Sequence, residues 1–204
     1  VSAMVRALWD GGKGDKMRVL AHGREAEATA KLALGQAAEV ITGAFGDIWF
    51  RDTGPIFDAD GVAHGFQFNG WGGKYQLPHD DEVGARIALY AKADFRRHDF
   101  ILEGGAIEMD GEGALLTTRQ CLLNPNRNAH WTEEGAEVAL KKALGVEKVL
   151  WLDEGLLNDH TDGHIDNLAR FVAPGRVVCQ APFDRSDPNF DVLEEIALSL
   201  AAMR

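Results

Sequence analysis

The sequence predicts an α/β protein built by repeating one unit: a helix, a strand, a polar loop and two further strands. Three observations carry this expectation. Amphipathic helices open near residues 24, 80, 132 and 189, at intervals of about 56, 52 and 57 residues. Each of the first three helices is followed by a short apolar strand. Each strand is followed in turn by a polar, glycine-bearing loop and a hairpin. Radial repetition of such units keeps strand edges short and places equivalent loops around one axis.

The elements follow in chain order. The opening Val-Ser-Ala-Met-Val-Arg-Ala-Leu-Trp run already reads as helix. Residues 24–34, rich in Ala, Glu and Lys, form the first repeat helix, and Gly35 closes it. Residues 39–42 form a strand, and residues 56–57 and 64–68 a hairpin turning at Asp60-Gly61. The next helix opens at Asp80-Asp81 and carries Val83, Ile87 and Ala91 at i, i+4 spacing. A strand at 100–102 and a hairpin of 107–109 with 114–117 come after it. Thr132 is a good N-cap for a helix whose face is Ala136, Ala139, Leu140, Ala143 and Leu144, closed by Gly145. Residues 148–152, then a hairpin of 168–172 with 177–180, complete the third unit. The last helix follows Ser186-Asp187-Pro188 and carries Phe190, Leu193, Ala197 and Leu200, with no stop signal before Arg204. The chain therefore reads as one catalytic-type domain over residues 1–204, shortened at both ends.

Composition narrows the classes. With 46% hydrophobic and 26% charged residues the chain is that of a folded globular protein, not a disordered tail. Its 21 Lys and Arg against 32 Asp and Glu give a net charge of −11, which argues against a nucleic-acid partner and favours the approach of cations. No apolar run is long enough for a membrane helix, and no secretory signal is visible. Cys121 and Cys179 lack CxxC spacing, lie in apolar runs, and read as buried small hydrophobes in a reducing compartment, the cytoplasm.

The recurring loops bring carboxylates beside glycine. They are Gly46-Asp47-Ile48-Trp49-Phe50-Arg51-Asp52-Thr53-Gly54-Pro55, Leu102-Glu103-Gly104-Gly105 and Asp159-His160-Thr161-Asp162-Gly163-His164-Ile165-Asp166-Asn167. Around an axis, Asp52, Glu103, His164 and Asp166 would converge. Two separated carboxylates can each accept paired N–H bonds from a planar guanidinium, and a histidine held by a third can shuttle protons. Trp49 would supply an apolar or cation–π wall. Plainer roles stand beside these: Asp52 capping its turn with Arg51 as ion pair, Glu103 satisfying loop N–H groups, His160 as an ordinary loop histidine. Trp71 and Lys74, in a glycine-rich loop, read either as a lid or as a simple connection. The cluster Asn124-Pro125-Asn126-Arg127-Asn128 reads as a turn first and a polar site element second. A metal reading of His160-x3-His164-x-Asp166 has suitable ligand types, but Gly163 and a β-like run from Ile165 oppose the helix it needs. Neither a phosphate loop nor a Gly-x-Ser-x-Gly elbow is present.

Taken together, Trp49-Phe-Arg51-Asp52-Thr53-Gly54-Pro55, Phe68-Asn-Gly-Trp71-Gly-Gly-Lys74-Tyr75, Leu102-Glu103-Gly104-Gly105, Leu122-Leu-Asn124-Pro-Asn126-Arg127-Asn128 and Thr161-Asp162-Gly163-His164-Ile-Asp166-Asn167 resemble the agmatine deiminases, a branch of the peptidyl-arginine deiminase superfamily. The resemblance runs from about Ile41 to Val178. It implies a pseudo-symmetric five-bladed α/β propeller of ββαβ units (a pentein), of which about three blades are present. It implies hydrolysis of agmatine to N-carbamoylputrescine and ammonia in putrescine biosynthesis, without metal or organic cofactor. By the same resemblance, Asp52 and Asp166 clamp the guanidinium, His164 is the general acid/base, Glu103 helps hold it, and Trp49 lies beside the substrate. The family's nucleophile is a cysteine in a late Gly-Gly-Gly-Asn-x-His-Cys block that does not occur here. Cys121 resembles part of a structural strand instead, so the nucleophile role passes to no residue of this chain. A non-catalytic guanidinium-binding fragment, a deiminase of free or peptidyl arginine, and a His/Asp metal hydrolase stay open as alternatives. The expected partners are a small cationic guanidino substrate and, through exposed strand edges, a further copy of the chain.

Overall fold

A computed structural model describes residues Val1–Met203. They fall into two compact units, Val1–Gly46 and the residues from Asp47 onward. No helix among the described residues is long and apolar enough to cross a membrane.

The first unit contains α1 (Ser2–Trp9), β1 (Arg18–Ala21), α2 (Arg24–Leu34) and β2 (Glu39–Thr42). β1 and β2 pair in parallel, in register from Arg18 with Glu39 to Ala21 with Thr42. Parallel neighbours need a crossover, and α2 supplies it. Val5, Leu34 and Ala37 make a small core of their own. The strand β1 was not foreseen, because Arg18-Val-Leu-Ala is short and lies next to charged residues.

The second unit contains α3 (Phe50–Thr53), β3 (Ile56–Phe57), β4 (Ala63–Gln67), α4 (Gly70–Gly73), α5 (Val83–Ala91), β5 (Phe95–Ile101), β6 (Ile107–Met109), β7 (Ala114–Thr118), α6 (Arg119–Leu122), α7 (Glu133–Leu144), β8 (Lys148–Leu152), β9 (Ala169–Ala173), β10 (Arg176–Cys179) and α8 (Phe190–Ala202). Two sheets share one topology. In each, an antiparallel hairpin is followed by a crossover helix and a parallel third strand, giving β3-β4-β5 and β6-β7-β8. The β9-β10 hairpin followed by α8 begins the same pattern again. The repeat predicted from helix spacing is thus real at the level of the unit. The described strands form four separate sheets, none of them closed.

The sheet β6-β7-β8 is the structural centre of this unit. Successive side chains on a strand face opposite ways. Leu115 therefore enters one core with Leu102, Ile107, Leu122 and Leu140, and Leu116 a second with Leu152, Ile165, Leu168, Leu193 and Ile196. Full burial of each such leucine stabilises the fold by roughly 1.5–3 kcal/mol. α7 opens as expected: the Thr132 hydroxyl accepts the Gly135 N–H at 3.1 Å, and Gly145 closes the helix in the left-handed region at φ 71°.

Four local expectations are corrected. The strand placed at 100–102 begins at Phe95 and runs through the polar residues Arg96, Arg97 and His98, as an edge strand with three exposed positions at the start allows. Ile165 opens a 3-10 turn, Ile165–Asn167, not a β-like run. Cys121 lies in the one-turn helix α6, capped by Thr118, not in a strand. Cys179 is exposed on the outer strand β10, whereas Cys121 is fully buried.

Candidate active site

The predicted residues come from the loops that separate one unit from the next. Asp52 stands on the single turn α3. Glu103 and Gly105 follow β5, and His164 and Asp166 follow β8. Close approach of these loops depends on glycine. A Cβ on Gly104 would lie 2.0 Å from the Arg51 carbonyl oxygen. A Cβ on Gly105 would lie 2.6–2.7 Å from Asp52 Oδ1, His164 Nδ1 and Asp166 Oδ2 at once.

Asp52 is anchored on both oxygens. The Gly105 N–H donates to Oδ1 at 2.9 Å and the Trp71 indole N–H to Oδ2 at 3.0 Å. His164 Nδ1 lies 3.7 Å from Asp52 Oδ1 and 4.0 Å from Asp166 Oδ1. These three groups face one cavity of about 360 Å³, on the scale of a small-molecule site. Asp47, Trp49, Trp71, Tyr75 and His160 complete most of its wall, and no Lys or Arg is among its lining residues. Trp49 is 59% exposed, with its ring at the opening rather than in a core.

Burial shapes the protonation states. His164 is 1% exposed, and desolvation, with the Arg127 charge adding to it, lowers its pKa to about 3. Its imidazole is neutral at pH 7. Burial first, and the Asp52 carboxylate second, raise Asp166 to about 6. Burial also raises Asp52, and the hydrogen bonds from Gly105 and Trp71 pull the other way. The pocket thus holds two carboxylates that resist sharing a site while it contains no cation.

Glu103 sits elsewhere in the arrangement. Its side chain is sealed against that of Arg127, with Nε donating to Oε1 at 2.9 Å and both side chains at 0% exposure. Burial raises the Glu103 pKa and the Arg127 charge lowers it. Arg127 also donates to the Asn126 side chain, the Thr161 carbonyl and Asp162, and so ties the Glu103 loop to the loop bearing His164. Sequence reasoning put the cluster holding Arg127 down as a turn first and a polar site element second, and the second reading is the one these contacts favour. The signal available was an arginine in a loop otherwise made of Asn and Pro, where nothing local could use its charge.

The glycine-rich loop forms a wall. Trp71 is buried, at φ 54°, a region that bulky residues enter at a cost of about 1–2 kcal/mol. The Asn69 side chain accepts the Gly72 N–H and the Trp71 indole holds Asp52, so the strain is paired with a site contact. Lys74 donates to the His160 carbonyl at 3.0 Å and pairs with Asp162. Tyr75 Oη lies 2.6 Å from His160 Nδ1. His160 is therefore engaged with Tyr75, and the metal set of His160, His164 and Asp166 is not assembled. His164 instead has donor atoms of Asp52 and Asp166 in one group, and of Glu103 and Cys121 in another, each group within 4.8 Å. Arg51, expected as the partner of Asp52, donates instead to the Ile107 carbonyl and lies 3.6 Å from Glu108.

Comparison with known proteins gives a consistent result. The family model of the Porphyromonas-type peptidyl-arginine deiminases matches residues 2–204. The agmatine deiminase of Pseudomonas aeruginosa is 45% identical over 156 residues, covering 71% of this chain and 42% of the relative. That of Stutzerimonas stutzeri is 46% identical over 154 residues, again covering 71% and 42%. The chain spans about half the length of the curated relatives it matches or less. Among solved structures, an Enterococcus faecalis agmatine deiminase superposes with a TM-score of 0.90 at 32% identity, covering 100% of this chain and 57% of that one. A Cys-to-Ser variant of C. jejuni agmatine deiminase with substrate bound gives 0.89 at 31% identity, covering 98% and 60%. The chain belongs to the Porphyromonas-type peptidyl-arginine deiminase family.

Proposed function

We propose that this chain carries the guanidinium-binding part of a deiminase that hydrolyses agmatine to N-carbamoylputrescine and ammonia. The observation that carries the reading is the cavity shared by Asp52, His164 and Asp166, with the imidazole within 4.0 Å of both carboxylates. Asp52 and Asp166 accept the N–H groups of the flat cation and fix its carbon. An incoming cation also favours the ionised form of Asp166, so binding releases its proton.

The chemistry is a double displacement at carbon. The thiol of the nucleophile gives its proton to the neutral His164 as its sulfur adds to the guanidinium carbon, and His164 passes that proton to the departing nitrogen, which leaves as ammonia. Water then adds to the S-linked amidino intermediate, giving up a proton to His164. The C–S bond breaks, and the urea-type product and thiolate are released. Glu103, held by Arg127, positions the imidazole from below, and Trp49 and Trp71 flank the cation. The nucleophile is assigned to neither cysteine here. Cys121 is fully buried, and burial raises its thiol well above the usual range, while Cys179 ends the outer strand β10. The serine variant used for the substrate-bound relative fits a cysteine nucleophile.

The lining favours agmatine over free arginine. It offers a third carboxylate, Asp47, to a second cationic group, and no Lys or Arg to an α-carboxylate. The wider reading follows the family: a five-bladed propeller, acting in the cytoplasm. Calorimetry with agmatine, alongside an ammonia assay, tests the site. The chain should bind agmatine without releasing ammonia, and Asp52→Asn and Asp166→Asn should each weaken binding. Unchanged affinity in either variant removes that residue from the clamp, and steady turnover by the Cys121→Ala, Cys179→Ala double variant would refute the thiolate route.

A further inference from the structure

His164 turns only Nδ1 toward the carboxylates of the cavity. Its other nitrogen, Nε2, is buried and has no hydrogen-bond partner. Glu103 shows the same division: Oε1 accepts from Arg127, while Oε2 is buried and unpartnered. Buried polar atoms are rarely left in this state. The third group beside them is Cys121, held at the turn of α6 where its N–H donates to the Thr118 hydroxyl. One donor atom from each of Glu103, Cys121 and His164 lies within 4.8 Å of the other two.

We propose that Glu103, Cys121 and His164 form a binding site for a soft divalent cation of the zinc and cadmium class, and that occupation of this site inhibits the enzyme. Carboxylate, thiolate and imidazole are the donors such ions take, usually in a tetrahedral arrangement with water in any remaining position. Bond lengths of that geometry separate the donors by about 3.3–3.8 Å, and the three donors already lie within 4.8 Å of one another, so closing the site requires no more than a small inward shift of the side chains. The surroundings suit the change. His164 has carboxylates on its far side, the arrangement that orients a ligating imidazole. Arg127 occupies Oε1 of Glu103 and leaves Oε2 available. An ion reaches the site from the cavity, which His164 lines.

Binding replaces the Cys121 S–H bond by a metal–sulfur bond and releases that proton to water. Inhibition follows because the metal takes the lone pair of the proposed acid/base. That consequence rests on the deiminase reading, whereas binding does not.

Titration of the chain with cadmium, followed by its ultraviolet thiolate charge-transfer band, tests the site without any turnover. A failed agmatine assay and a failed metal titration are therefore separate results. The wild-type chain and Cys179→Ser should each bind one cadmium ion with the band, and Cys121→Ser should lose the band. His164→Gln should weaken the apparent affinity at least about tenfold, the low end of what disturbing a metal-ligating histidine costs. Should Cys121→Ser fail to fold by circular dichroism, the comparison of Cys179→Ser with and without His164→Gln decides. A band that survives Cys121→Ser, disappears in Cys179→Ser, is insensitive to His164→Gln, or never forms overturns the proposal.

Discussion

Glu103 and the Asp52–Asp166 pair carry the same charged group to opposite ends. Glu103 is shut away with Arg127 at 0% exposure, and its charge is matched inside the protein. Asp52 and Asp166 face a cavity, and burial first and the Asp52 charge second push Asp166 up to about 6. One carboxylate is committed to holding loops together, and on the proposed reading the other two are matched by a ligand. The difference teaches where stability and function part company in this fold. The buried pair should respond to mutation mainly in stability, and the open pair mainly in affinity.

Arg127→Met is the strongest way to break that contrast. It leaves Glu103 buried without its counter-charge, which should cost about 3–5 kcal/mol, read from the urea midpoint. Adding Glu103→Gln should recover part of the loss; no recovery would mean that the remaining contacts of Arg127, not the pair, hold the loops. Asp52→Asn should do the reverse. Affinity for agmatine should fall by about 1.5–3 kcal/mol, the usual worth of a hydrogen bond to a charged group, with little change in the urea midpoint.

Acid sharpens the comparison further. As pH falls through about 6, Asp166 takes up a proton and agmatine binding should weaken; Asp166→Asn should remove that limb from the affinity profile. The stability signs are opposed. Asp166 is raised on folding, so its contribution is fully present below the ordinary aspartate value of 3.8 and is lost as pH rises through about 6. His164 is lowered on folding, so its contribution is present above 6.5 and is lost as pH falls toward about 3. Urea midpoints of His164→Gln and Asp166→Asn between pH 4 and 6 should therefore diverge from wild type in opposite directions. The smallest effect is expected of Trp71→Phe, which removes one donor from Asp52 and should reduce agmatine affinity by about 1 kcal/mol.

Much of this contrast could be read in advance on one side only. The helices were legible because their ends carry local chemistry: Thr132 at one start, Gly35 and Gly145 at two ends. Asp52, Glu103, His164 and Asp166 were legible because each stands in a loop that recurs at the same place in the unit. Arg127 was not, because its partners Glu103, Thr161 and Asp162 lie 24 or more positions away and only tertiary folding supplies them. The start of β5 was missed because Arg96-Arg97-His98 is a polar run on an edge strand, where β-pairing needs no apolar alternation. Cys179 misled for the complementary reason: an apolar run on a two-stranded sheet need not be covered.

Gly105 has a consequence for how easily this pocket can be silenced. Its φ lies outside the left-handed region, so alanine would meet no backbone objection there. The added methyl would nevertheless arrive against Asp52, His164 and Asp166 together. A single carbon atom at this position would force those three side chains apart, so the pocket has no room to drift toward alanine without losing the arrangement it is built on.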